Sequence, residues 1–263
     1  MEIPTLVVSD PPHREVDLEV AAALLDLDVF STRLKENFAA PEVMLASDPE
    51  KASRFAAQLQ VIGFNASILD GATLRDLPWP DPASSLAFDG SRMRATVRER
   101  VVDIPYESEV VGVHCRPPGD DRTRRTNVEI DRAVASDHGP TIAAAIQRRS
   151  ILDLYFHDGG SLRRITIVPD WLGADEEGVM KELLKRTKRL RLDTRLCGVR
   201  PRAPFVTGGA AHDGPERRRY SFGTLLLREA LESISPDLRA VPQYEFGSRL
   251  AYALNPLGST DGD

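Results

Sequence analysis

Pro78, Pro80 and Pro82 alternate around Trp79 at the point where the hydrophobic rhythm of the chain changes, and this break restricts the fold most. Prolines at every second position disfavour both a helix and a central strand, because each removes an amide donor and fixes φ. Before the break, apolar residues recur at the three- and four-residue spacing of helices. After it they alternate over short runs, which is the strand period. Such a switch reads as two modules joined by a semi-rigid linker, placed at 71–83. At 263 residues the length suits two modules with irregular arms. The expected class is α+β: a small βααβαβ domain over 1–77, a mainly antiparallel β domain over 84–192 with an insertion at 116–149, and an irregular C-terminal arm over 193–263 with one helix.

The first module is the most legible. Residues 5–8 form a β-prone run closed by Asp10, Pro11 and Pro12. Val16, Val20, Leu24 and Leu27 then follow a helical stripe, and Asp28 caps a second helix with Phe30, Leu34 and Phe38 on one face. Residues 43–46 are a buried-type strand. Ser47 and Glu50 stand at capping-box spacing with Pro49 in the first turn, and Gly63 closes that helix where a left-handed residue is needed. A third strand runs through Ala66 and Ile68. With Pro41, Asp48, Ala52, Ala56, Leu59, Gly63 and Ala66 in place, this order resembles the C-terminal domain of the bacterial ribosomal stalk protein. The adaptor of the Clp protease shares that fold. The resemblance implies a fold and not an activity. The stalk domain meets translation factors through a lysine- and glycine-rich region, and here the corresponding 27–35 keeps only Arg33 and Lys35 as cations.

The second module reads as strands at 85–88, 93–97, 101–104, 110–115, 151–156 and 162–168, with Asp89-Gly90 and 157–160 as hairpin turns. A helix is expected from Asp175 to Leu190 with Met180, Leu183, Leu184 and Thr187 inward. Strands closed by one amphipathic helix resemble the pleckstrin-homology-type barrel, and the Ile104-Pro105-Tyr106 step is similar to a corner of its bacterial versions. Beyond it a helix is expected over 221–234. Tyr244, Phe246, Leu250, Tyr252 and Leu254 then form an apolar stretch too short for a core of its own, which must pack on this chain or on a partner.

Charge is segregated. Residues 1–90 hold 15 acidic and 6 basic side chains, −9, whereas 181–202 hold 9 basic and 2 acidic, +7. The cations Lys185, Arg186, Lys188, Arg189 and Arg191 suit a helix C-terminus, an anionic membrane surface or an acidic protein patch. Nucleic acid is disfavoured, since aromatic residues do not interleave with them. No run approaches the roughly 18 apolar residues of a membrane span, and the N-terminus lacks the basic region of a signal peptide. Cys115 and Cys197 are too few for a disulfide framework, and the five histidines form no ligand pair. These features predict a cytoplasmic protein without metal or cofactor, peripheral to a membrane in one setting.

Candidate catalysis is thin. His114, Cys115 and Arg122 after a strand resemble the phosphate loop of cysteine-dependent phosphatases, but six residues separate thiol and arginine where that family has five. Asp120 and Asp121 would repel a dianion and raise the thiol pKa. The acidic run 170–177 suits a helix start, and His157-Asp158 is turn chemistry. The expected function is therefore a non-catalytic interaction or assembly subunit docking on a larger complex, with Lys185, Arg186, Lys188, Arg189, Arg191, Tyr244, Phe246 and Tyr252 as binding residues. The alternatives are a lipid- or ligand-binding regulatory module and a cysteine-dependent phosphatase.

Overall fold

The structure, a computed structural model, describes residues 3–10, 16–25, 41–115, 150–194 and 243–258. These fall into two compact units that part between Asp76 and Leu77, and Gln243 onward belongs to the second.

In the first unit β1 (Thr5–Asp10) lies between β2 (Glu42–Ser47) and β3 (Asn65–Asp70), antiparallel to both. Leu6, Val7 and Val8 are all fully buried, so this central strand has no polar face. Two helices, α1 (Leu18–Leu25) and α2 (Pro49–Ile62), share a core with Val7. Ala21, Ala52 and Ala56 form much of it, and their short side chains let the helices approach closely. Asp17 caps α1 by accepting from the amides of Glu19 and Val20. Ala21 then turns inward and Val20, expected on the inner stripe, is 48% exposed. The second expected helix, with Phe30, Leu34 and Phe38, lies outside the described residues.

Asp48, not Ser47, caps α2: Pro49 takes the first helical position, and the Asp48 carboxylate accepts from the Lys51 amide at 2.9 Å. That bond holds the carboxyl below its usual range. Gly63 ends the helix at φ 111°, its amide directed at the carbonyls of Gln60 and Leu59. A short α3 (Gly71–Asp76) follows in the stretch expected to be irregular, with Leu74 buried. The structureless linker is correspondingly shorter.

The second unit is a seven-stranded sheet. Its strands are β4 (Asp81–Phe88), β5 (Arg92–Val97), β6 (Arg100–Pro105), β7 (Glu109–Cys115), β8 (Ile151–Asp158), β9 (Ser161–Ile167) and β10 (Arg189–Asp193), in the order β10-β7-β8-β9-β4-β5-β6. Pairing is antiparallel except at β4–β9 and β7–β10. Pro82 lies in the brief β4–β9 contact at the start of its strand, where its missing donor is tolerated. The sheet curls, so that Met93, Ala95 and Ile104 share one core with Leu152, Leu154, Phe156, Ile165 and Ile167. A 3-10 turn (Pro169–Leu172) leads to α4 (Glu176–Arg186), which adds Val179 and Leu183 to that core.

The expected helix to Leu190 stops at Arg186. Thr187 is extended, and the Lys188 amide donates to the Tyr106 carbonyl at 2.9 Å. The chain then pairs with β7, because Leu190 and Leu192 alternate and drop over Gly112, where a Cβ would come within 2.9 Å of Leu192 Cδ1. Leu184, expected inward, is 56% exposed. We expect Gly63→Ala to cost about 1–2 kcal/mol in urea unfolding of the full chain, because alanine is strained at positive φ.

Candidate functional site

The register of β7–β8–β9 sorts side chains onto two faces. Gly112, Leu154 and Ile165 line the apolar core, whereas Val111 with Tyr155 and Arg164, and Val113 with Asp153 and Thr166, line the opposite face. A fully buried face carrying Asp153, Arg164 and Thr166 is costly unless every group finds a partner. The sheet supplies part of the pairing itself, and α5 (Gln243–Leu254) supplies the rest.

Arg164 is the centre. Its Nη1 and Nη2 donate to Glu245 Oε1 and Oε2 at 2.6 and 2.8 Å, a bidentate pair, and Nη2 also donates to Asp153 Oδ2 at 2.5 Å. Thr166 Oγ1 donates to the other Asp153 oxygen. Ser248 Oγ donates to Asp153 Oδ2 at 2.5 Å and lies 3.1 Å from the Tyr155 hydroxyl. Arg249, one turn after Glu245, donates to Glu245 Oε1 at 2.7 Å and to the Leu77 carbonyl at 2.8 Å. Its guanidinium also lies over the Trp79 ring, 4.5 Å from the centroid. Two arginines thus face two carboxylates, and all four side chains are at most 4% exposed.

Apolar packing accompanies the charges. Phe246, Leu250, Ala251 and Tyr252 are buried, and Tyr252 stacks on Tyr155 with centroids 4.2 Å apart. The far end of the segment is held as well. Arg191 donates to Asn255 Oδ1 at 2.6 Å, to the Pro256 carbonyl at 2.7 Å and to Glu109 at 2.8 Å, and Glu109 accepts from the Gly258 amide. The face is therefore a seat that reads one helical segment at several positions along its length.

Of the residues expected to bind a partner, Phe246 and Tyr252 pack inside this unit, and the side chain of Tyr244 lies outside the described residues. The five cations disperse. Arg186 bonds Glu182 and the Asp89 carbonyl and lies over Tyr106, Lys188 reaches Glu107 at 2.6 Å, and Arg191 holds the end of α5. Lys185 and Arg189 are exposed. No sequence pattern singled out Asp153, Arg164, Glu245, Ser248 and Arg249. The one available signal was charge at Asp153 and Arg164 within otherwise alternating apolar strands.

Cys115 is the buried last residue of β7, and the loop to Arg122 lies outside the described residues. His114 Nε2 lies 3.0 Å from Ser150 Oγ and 3.3 Å from Glu176 Oε1. Both contacts use one ring nitrogen, whereas a nucleophile relay places its acid on the other. Among the described residues no three His, Cys, Asp or Glu side chains are grouped to hold a metal, and no helix is long and apolar enough to cross a membrane. Comparison with protein-family models, curated proteins and solved structures finds no match to this chain.

Removing the central cation tests the network. Arg164→Met leaves Asp153 and Glu245 facing each other, and urea unfolding should show a loss of about 3–5 kcal/mol. Burial also holds the Tyr155 phenol well above its usual value of 10.0. Its stabilisation is complete below that pH and falls as pH rises beyond it, because only the unfolded chain ionises. Between about pH 8 and about pH 11 the urea midpoint of wild type should drop more than that of Tyr155→Phe.

Proposed function

We propose that this chain is a non-catalytic interaction subunit whose second unit recognises an amphipathic helical segment, and that it serves the assembly of a larger complex. The observation that carries the reading is the seat for α5, where Arg164 grips Glu245 with both terminal nitrogens among buried apolar side chains. Such a contact selects its ligand by charge position as well as by apolar area. The ionisable groups at its centre are hydrogen-bonded to one another. We read the curled sheet with its helix as a pleckstrin-homology-like scaffold and the first unit as a stalk-protein-like domain, both proposals of fold kinship only. A cytoplasmic setting against an anionic membrane would rest on Lys185, Lys188 and Arg189, the exposed members of the basic run.

The test is direct. A fluorescent peptide of residues 242–258, titrated into the full-length protein, should bind saturably by displacing the resident segment. Peptides carrying Glu245→Ala or Arg249→Ala should bind at least about tenfold more weakly, as expected for truncation of a buried charge contact. If native and altered peptides bind alike, or none binds, the recognition reading is lost.

A further inference from the structure

The proposal that follows deepens the recognition reading and rests on it: we infer that the helix seat on β7–β9 is filled by a second copy of this chain, two copies exchanging their Gln243–Leu254 segments reciprocally. Three observations lead there.

The first is charge. The sheet contributes Arg164 and Asp153, already bonded to each other, and the helix contributes Glu245 and Arg249, also bonded to each other. Each half is neutral and internally paired, so parting them strands no lone ion. The second is the nature of the segment. It is 12 residues long and has Gly247 at its middle, which makes it a poor helix in isolation. Its helix forms on docking, as in segments that fold when they bind. Undocked, it would leave Phe246, Leu250 and Tyr252 uncovered, together with the Val111–Val113 face of the sheet, and both surfaces demand to be covered again.

The third is the connection. Residues 194–242 join β10 to α5, 49 residues whose extended reach is on the order of 160 Å, against about 18 Å for the helix itself. Chain length by itself does not confine the helix to its own sheet. The chemistry that fits the seat best is the segment already in it: Glu245 for Arg164, Ser248 for Asp153, Tyr252 for Tyr155, and Asn255 and Gly258 for Arg191 and Glu109. A second copy carries all of these. Reciprocal exchange fills both seats and closes the assembly as a twofold pair.

Two measurements test this. Light scattering on the eluting wild-type protein should give twice the 29.0 kDa chain mass at high micromolar concentration. A single-chain mass throughout overturns the proposal whatever any variant does. The second uses differently tagged full-length copies, Arg164→Glu and Glu245→Arg, expressed together. Exchange puts native Glu245 on native Arg164 at one seat and the reversed pair at the other, where Asp153 and Arg249 each meet a like charge, so the two variants should co-purify through the native seat. Arg164→Glu paired with itself should fall at least about tenfold below that. Because the tags report only co-purification, a variant that fails to fold alone is still informative. If wild-type copies co-purify and the reversed pair does not, the dimer uses another surface and exchange is overturned. A chain that stays single yet binds the 242–258 peptide leaves the recognition reading standing and removes only the exchange. A chain that stays single and ignores the peptide removes both.

Discussion

The guanidinium of Arg164, lodged between Asp153 on its own sheet and Glu245 on α5, is the contact on which the second unit depends. A cation with almost no solvent exposure must be compensated where it lies, and here two carboxylates receive it while two hydroxyls bond one of them. The arrangement resists partial loss. Taking away one of its charged members leaves a buried charge without its complement, which costs about 3–5 kcal/mol. Such networks contribute less to raw stability than to choosing one partner and one register.

The two faces of the sheet show this division of labour. The face toward α4 is filled by Leu, Ile, Val, Met and Phe side chains, a core that tolerates many substitutions provided volume is kept. The face toward α5 carries position-specific polar groups inside an apolar rim, and the residues after α5 are held by Arg191 and Glu109. One face holds the unit together. The other receives α5 through groups at defined positions. The Pro-rich segment takes part as well, since Leu77 and Trp79 receive Arg249.

The cations near 185–191 illustrate how charge composition misleads about surfaces. Read along the chain they form one patch, but the break at Thr187 separates them onto a helix end and an edge strand. There Arg186, Lys188 and Arg191 meet Glu182, Glu107 and Glu109. The acidic partners lie remote in sequence from two of these cations, so no local pattern could foresee the pairing.

What the sequence by itself determined was local. The strands of both sheets apart from β10, the Pro49–Gly63 helix and the hairpin at 157–160 follow from period, caps and turn residues that act within a few positions of the chain. Tertiary structure decided the rest. The end of α4 depended on Gly112 leaving room for Leu190 and Leu192, two residues whose alternation is ambiguous over so short a run. The helix at Gln243–Leu254 was legible as apolar but not as helical, because Gly247 and Ser248 oppose that conformation and its stability comes from the sheet beneath. The seat itself was invisible for the same physical reason. Asp153, Arg164 and Glu245 are ordinary surface charges in the sequence, and only the pairing of Arg164 with Asp153 across the hairpin and with Glu245, 81 positions away, makes them a site.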